Sequence, residues 1–296
     1  MSARAAPGIF PPEIVVQVKA LACELPATVG APLSRWSCQE LAEQVCGSGL
    51  VASISKTTVW RWLSKDAIRP WQHRCWIFPR DPHFQVKAGR ILDLYHRVWE
   101  EQPLKDDEFV ISADEKTSIQ ARKRRHATLP PEPNSAMKVE HEYTRLGAWA
   151  YLAVLDVHHL KIIGRCEAKT GIAPFDRLVD QVMCQPPYRD ARRVFWIVDN
   201  GSSHRGQTSI RRLQSRYPRL VLVHGPVHAS WLNQIEIYFS VIQRKVLTPN
   251  DFPSLSALSE RLHAFAHHYQ RMARPFRWKY TRQDLASLMC RLQKVA

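Results

Sequence analysis

Apolar residues recur along this chain in two rhythms. Up to about residue 100 they fall at helical spacing, and from Glu108 onward they gather into short runs separated by helical stretches. In the first part, Pro12 to Leu25 has room for one helix. Ser37 and Glu40 then make a capping-box pattern, hydroxyl and carboxylate each satisfying a free N–H at a helix start. Leu41, Ala42 and Val45 give this helix an apolar face, and Gly47-Ser48-Gly49 breaks it. Ser55 precedes "KTTVWRWL", where Val59, Trp62 and Leu63 form an apolar stripe and Lys56, Thr57, Thr58 and Arg61 the opposite face. Two short helices about a glycine-containing break, the second basic near its start, suit a helix-turn-helix that lays one helix in a DNA major groove. A plain helical hairpin reads the same way.

The stretch "RPWQHRCWIFPRDPHF", Arg69 to Phe84, mixes prolines, tryptophans and arginines. It reads as an extended linker able to follow a phosphate backbone, through Arg69 and Arg74, or as a connector that packs its tryptophans on a neighbour. A helix is predicted from about Phe84 to Glu101, with Phe84, Ala88, Ile91, Leu92, Tyr95, Val98 and Trp99 on one face. Beyond it, "EFVISAD", "LGAWAYLAVLDV", "KIIGRCEA", "RVFWIVD" and "RLVLVHG" read as strands. "APFDRLVDQVMCQ", "QTSIRRLQSRY" and "WLNQIEIYFSVIQRKV" read as helices. Three strands in succession, followed by alternating helices and strands, describe an α/β sheet with an antiparallel and a parallel side. The expected organisation is an N-terminal segment and helix-turn-helix domain over 1–68, a linker and connecting helix over 69–106, and a sheet domain over 107–296.

Charge narrows the choice of partner. Lys and Arg number 42 against 27 Asp and Glu, a formal net charge of +15 spread over 296 residues, which favours a polyanion such as DNA, RNA or an anionic membrane surface. No run approaches the ~18–20 apolar residues of a membrane span. The N-terminus lacks the apolar core of a signal peptide. Seven scattered cysteines with no C-x-x-C pair suggest reduced thiols in a cytoplasmic protein and no structural zinc.

Against this basic background three acids stand out. Asp114 and Asp199 each end an apolar run and are followed by polar, turn-prone residues, and Glu236 neighbours the apolar stripe of a helix. Two aspartates at the ends of adjacent strands and a glutamate on a flanking helix can converge, and converging carboxylates suit Mg2+ or Mn2+. Two such ions, ~3.5–4 Å apart, serve in-line phosphoryl displacement. Each acid also has a plainer reading as a turn or surface residue. Asp156, ending "YLAVLD", competes for the same site, and His204 either orients substrate or caps the next helix.

The motifs "SADEKTSIQAR", "WIVDNGSSHRG" and "HASWLNQIEIYFSVIQRKVL", in this order, resemble those of bacterial insertion-sequence DDE transposases, in the prokaryotic branch of the mariner superfamily. The resemblance runs from about Trp36 to Asp284. It implies an α/β ribonuclease-H-like catalytic domain, a mixed sheet flanked by helices, behind an all-α helix-turn-helix DNA-binding region. It implies Asp114, Asp199 and Glu236 as catalytic and metal-binding residues, with 84 and 36 residues between successive members. Asn200, His204, Trp231 and Asn233 match as supporting residues, and "SKTTVWRWL" falls where a recognition helix is expected. The activity implied is Mg2+-dependent cutting at terminal inverted repeats of double-stranded DNA and joining of 3′-hydroxyl ends to a TA-containing target, with Mn2+ able to substitute. A homodimer, a bacterial cytoplasmic location at the nucleoid and no membrane association follow from that reading. Arg122 to Arg125 are expected to join Lys56, Arg61, Arg69 and Arg74 on phosphates. Members of the family usually carry another helix-turn-helix ahead of this one, whereas about 35 residues precede Trp36, so a shortened copy is an expectation too. Two other readings remain: an inactive DNA-binding relic or regulator, and a metal-dependent nuclease without strand transfer.

Overall fold

The capping box written at Ser37 forms: Glu40 N donates to Ser37 Oγ at 3.2 Å and Ser37 N to Glu40 Oε2 at 2.7 Å. It opens helix α2 (Cys38–Gly47), which follows α1 (Pro12–Ala22) and precedes α3 (Lys56–Lys65). These coordinates are a computed structural model describing residues 10–73, 79–201 and 203–293, and the chain divides between residues 77 and 78 into two units. In the first unit the predicted stripes meet. Leu41, Ala42 and Val45 of α2 pack with Val59 and Leu63 of α3, with Val18 and Ala22 of α1, and with Trp36. Gly49, at φ +76°, supplies the left-handed turn by which the chain leaves α2.

The second unit is built on a five-stranded sheet in the order β5-β4-β3-β6-β7. Its strands are β3 (Glu108–Arg124), β4 (Tyr143–Asp156), β5 (Ile162–Glu167), β6 (Arg193–Val198) and β7 (Leu220–His224); a separate hairpin pairs β1 (Val98–Trp99) with β2 (Gln102–Pro103). β3, β4 and β5 run antiparallel, whereas β6 and β7 add parallel to β3, giving the mixed sheet predicted. Side chains alternate across a strand, so each strand feeds two cores. One face carries Ile111, Ala113, Leu152, Val154, Val194, Trp196 and Val198 beneath α5 (Ile172–Met183) and α6 (Gly206–Arg216). The other carries Val110, Phe195 and Ile197 beneath α4 (Phe84–Tyr95), and Tyr151, Ala153 and Leu155 beneath α7 (Ile235–Lys245) and α8 (Leu255–Met272). A last helix, α9 (Arg282–Gln293), ties back to α4 through Arg282 and Asp93.

Several elements differ from their sequence reading. β3 does not end at Asp114 but runs ten residues further to Arg124, paired with β4 except at two register shifts. A bulge between Lys116 and Ile119, with Ser118 at φ +56°, shifts the alternation by one residue. Ile119 and Ala121 thereby stay under α7 and α8. The helix expected to reach Glu101 stops at Tyr95, because Arg97, Glu100 and Glu101 turn at positive φ and send Val98 and Trp99 into the β1–β2 hairpin. Its apolar face is part of the core of this unit, against Val110, Phe195 and Ile197. Among the described residues no helix is long and apolar enough to cross a membrane.

Glu108, at the start of β3, is buried and bound by Arg193 Nε at 2.6 Å and Lys105 N at 2.9 Å. Burial alone would raise its pKa, but the Arg193 hydrogen bond, Lys105 N–H and two arginine charges outweigh it and hold the carboxyl below its usual range. A depressed folded-state pKa contributes stability above the unfolded value, lost as pH falls through the folded one. Glu108→Gln is therefore expected to lower Tm at pH 7 and to flatten the fall in Tm between about pH 5 and pH 3, measured by thermal melts across that range.

Candidate active site

The sheet register brings two of the three acids level. β3 and β6 pair in parallel through Ser112 opposite Ile197, and two residues past that rung in each strand come Asp114 and Asp199. Neighbouring strands lie ~4.8 Å apart, and both residues fall on the α4 and α7 side by alternation with Val110 and Ile197. Glu236 occupies the first turn of α7, on the same side.

The start of α7 is pinned to β3 by buried polar groups. Ser112, the one polar side chain in "FVISA", accepts from Ile235 N at 2.9 Å and donates to Asn233 Oδ1. Asn233 Nδ2 in turn donates to Ala113 O at 3.0 Å and to Asp114 Oδ2 at 3.3 Å. Tyr95 adds a hydroxyl that donates to Leu232 O and accepts from Gln234 N at 3.2 Å. These contacts explain why the predicted helix from Trp231 breaks. Ser230–Leu232 is a short 3-10 turn, and α7 starts only at Ile235. Trp231 is consequently off the apolar stripe, 39 % exposed, with its ring edge-on to Tyr280 at 5.5 Å.

Asp199 sits where β6 gives way to Asn200-Gly201. Its Oδ1 accepts from Gly201 N at 2.8 Å and contacts His204 Nε2 at 2.6 Å. An added Cβ at Gly201 would stand 2.9 Å from that oxygen and 3.0 Å from the His204 ring, so a side chain there would push the Asp199–His204 pair aside. His204 is buried, braced by Phe175 at 4.8 Å and by Ser203 Oγ at 3.0 Å from Nδ1. It orients Asp199 and caps no helix. Asn200 Nδ2 donates to Gly225 O at 2.9 Å, which holds the turn to the loop after β7.

The electrostatics tie these groups together. Burial, together with the charges of Asp199, Glu236 and Glu115, pushes the Asp114 carboxyl up to about 7. Glu236 is raised by burial and by Asp199, against the pull of Lys116. Asp199 goes the other way, lowered chiefly by its hydrogen bond to His204. Glu115, which the sequence reading passed over, is raised by burial and by Asp199 and lowered by His204. Alternation puts Glu115 on the sheet face opposite Asp114, the face on which His204 and Phe175 lie. Burial first, and the charge of Asp199 after it, raise Asp114, Glu236 and Glu115, and carboxylate oxygens gathered in this way suit a hard divalent cation. Among the described residues no three His, Cys, Asp or Glu side chains stand at ready-made ligand spacing. Asp114 and Glu236 both feel the charge of Asp199, which places the three acids in one neighbourhood.

Asp156 is not brought to this site. It pairs with Ile111, three residues or ~10 Å along β3 from Asp114, and points to the opposite face. There it accepts from Tyr188 Oη at 2.9 Å and from the N–H groups of His158 and His159 at 3.2 and 3.1 Å. In the first unit, Lys56, Thr57 and Arg61 lie exposed on α3, beside an exposed Trp60 that the sequence reading did not single out. Thr58 is half-buried and its hydroxyl meets Ser55 Oγ at 2.9 Å, so it secures the helix start. Arg69 is exposed, and Arg74 lies outside the described residues.

If Asp199 holds a divalent cation, His204→Ala is expected to leave the fold intact and reduce activity roughly 10- to 100-fold, the usual cost of losing a group that orients a metal ligand. Rates at rising divalent-cation concentration check this: recovery at high cation indicates weakened binding at Asp199.

No curated protein shows significant similarity to the chain. Among solved structures, it resembles the Mos1 mariner paired end complex with Mn at 14 % identity and TM-score 0.54, over 99 % of this chain and 80 % of that one. The Mos1 transposase paired-end complex with left transposon end is similar at 13 % identity and TM-score 0.54, over 99 % and 81 %. The Mos1 Strand Transfer Complex is similar at 13 % identity and TM-score 0.52, over 98 % and 79 %. At such identities the likeness speaks for the fold, which is ribonuclease-H-like behind an N-terminal helical region. The profile of the DDE superfamily endonucleases matches residues 110–259, from β3 into α8 and including Asp114, Asp199 and Glu236. The chain belongs to the DDE superfamily endonuclease family.

Proposed function

We propose that this chain is a divalent-cation-dependent DNA transposase, of the bacterial insertion-sequence kind, that cuts DNA at the ends of a mobile element and joins the 3′-hydroxyl ends to target DNA. The observation that carries the reading is the level placement of Asp114 and Asp199 on adjacent strands, facing the helix that bears Glu236, within a DDE endonuclease domain. A bound Mg2+ or Mn2+ pair would activate an attacking oxygen and stabilise the leaving one. The protein's own part is to hold the three carboxylates rigidly. Asn233 and Ser112 lock α7 to β3, and His204 and Gly201 set the direction of Asp199. Two sheet strands and one pinned helix give that positioning more precisely than loops would.

In the same reading α2 and α3 form a helix-turn-helix, with Lys56, Thr57 and Arg61 toward DNA, and Arg69 and Arg74 continue along the phosphates. The substrate is double-stranded DNA carrying terminal inverted repeats, the target contains TA, and two protomers hold the two ends, on the nucleoid in the bacterial cytoplasm. The test uses labelled duplexes from the two flanks of the gene, with a plasmid target, in Mg2+, Mn2+ or EDTA. Metal-dependent cutting followed by joining supports the transposase. Cutting without joining points to a nuclease, and binding without chemistry in either metal to a DNA-binding relic.

A further inference from the structure

Beyond Glu236 the second unit has a groove that the proposed chemistry does not use. Its walls are the far half of β3, with Lys116, Gln120, Arg122 and Arg124, and the end of α7 and the turn after it, with Gln243 and Asn250. A neighbouring depression shares Lys116 and Gln243 and adds Glu236 and Arg244. With Lys116 and Gln243 in both, the two depressions adjoin, one reaching Glu236 and the other running along the far half of β3.

The charges along these depressions are left open. Among the described residues, Lys116, Arg122, Arg124 and Arg244 have no carboxylate at ion-pair distance. Glu236 feels the charge of Lys116 without pairing with it, and the acids beside Arg122 and Arg124 are engaged elsewhere. Glu142 pairs with Arg125, Glu140 holds His126, and Asp251 accepts from Arg124 N and Thr128 Oγ1. Arg124 spends its guanidinium donors on carbonyl oxygens, those of Asn250 at 3.0 Å and Glu140 at 2.7 Å, which fix its place without cancelling its charge. Arg122 lies over the Tyr143 ring at 4.6 Å, and its Nε is buried without a partner, as is Gln120 Oε1. Around α5 and α6, by contrast, Arg177, Arg212 and Arg216 are each matched by a carboxylate. A row of preorganised, uncancelled cations leading to a phosphotransfer site is complementary to a chain of phosphates.

We propose that this groove holds the sugar–phosphate backbone of a DNA strand next to the bond being cut, with Lys116, Arg122, Arg124 and Arg244 on successive phosphates. This rests on the function proposed above, and the same backbone chemistry belongs to an element end or to target DNA. The test is DNA binding by full-length protein, read by fluorescence anisotropy of a labelled duplex in Ca2+ at several salt concentrations. Arg244→Glu, on an exposed helix end, and the double variant Arg122→Gln/Arg244→Gln are compared with Arg177→Gln as a control. The double variant should bind roughly tenfold more weakly and lose about 2 from the slope of log K against log salt, at unchanged Tm. Arg244→Glu should fall in the same direction, and Arg177→Gln should match wild type. Wild-type affinity and slope in both groove variants would overturn the proposal. Loss of end cutting would assign the groove to the element strand, and loss of joining alone to the target. Asp199→Ala is run alongside. If it still cuts while the groove variants lose binding, the catalytic reading fails and the groove stands. If it is inert while the groove variants bind and react normally, the groove proposal fails alone.

Discussion

Asp114→Ala, Asp199→Ala and Glu236→Ala are each expected to lower metal-dependent DNA cutting by on the order of 10³-fold or more, equivalent to about 4 kcal/mol of barrier, without loss of DNA binding. The size follows from position. Asp114 in β3 and Asp199 just past the end of β6 each follow the Ser112–Ile197 rung by two residues. Glu236 stands in the first turn of a helix whose start Ser112, Asn233 and Tyr95 fasten to the sheet. On the proposed reading, loss of any one removes carboxylate oxygens that the cation pair would need. The Asp114 and Glu236 substitutions should also be close to neutral or favourable for folding, because burial and neighbouring charge raise Asp114 to about 7 and push Glu236 up. Removing a carboxylate relieves that repulsion. Asp199→Ala, by contrast, loses the His204 and Gly201 hydrogen bonds and should lower Tm modestly. Cutting rates and thermal melts on the same preparations check both halves. A variant that loses activity only because it unfolds would contradict the assignment.

The fourth aspartate should behave in the opposite way. Asp156→Ala is expected to destabilise the second unit by about 3 kcal/mol and to lower Tm by roughly 6–12 °C, while the folded fraction keeps cutting at low temperature. Asp156 is 1 % exposed and closes the turn after β4 by accepting from His158 N and His159 N. It also satisfies the buried hydroxyl of Tyr188. Alanine would leave those donors buried without acceptors, the costly form of a lost hydrogen bond. Thermal melts and residual activity at low temperature separate this from catalysis; an Asp156→Ala protein that melts like wild type but is inert would return this residue to the site.

The pair shows how far pattern alone carries. Asp114, Asp156 and Asp199 look alike in sequence, each an acid after an apolar run. What separates them is register: Asp156 falls opposite Ile111 and on the other face, whereas Asp199 falls level with Asp114. Register depends on how strands from distant parts of the chain align, which no local spacing records. His204 is a similar case. Its place five residues after Asp199 was visible, but its bond to Asp199 depends on Gly201 closing the turn and Phe175 arriving from α5.

By itself, the sequence determined what local chemistry can determine. The capping box at Ser37, the stripes of α2 and α3, the identity of the five sheet strands and the basic balance of the chain are all properties of neighbouring residues or of simple counts. The motifs around Asp114, Asp199 and Glu236 were legible too, because turn residues and an interrupted apolar stripe are local signals. Only tertiary structure decided where strands and helices stop. β3 runs on past Asp114 because β4 offers it a partner, and α4 ends at Tyr95 because Trp99 finds Phe195 at 4.8 Å. The broken start of α7 has the same origin, since Ser112 and Tyr95 claim backbone groups that an unbroken helix would have used. Local propensities differ by less than ~1 kcal/mol per residue, whereas a buried aromatic contact or a satisfied buried donor is worth more than that, so the long-range partner decides the boundary.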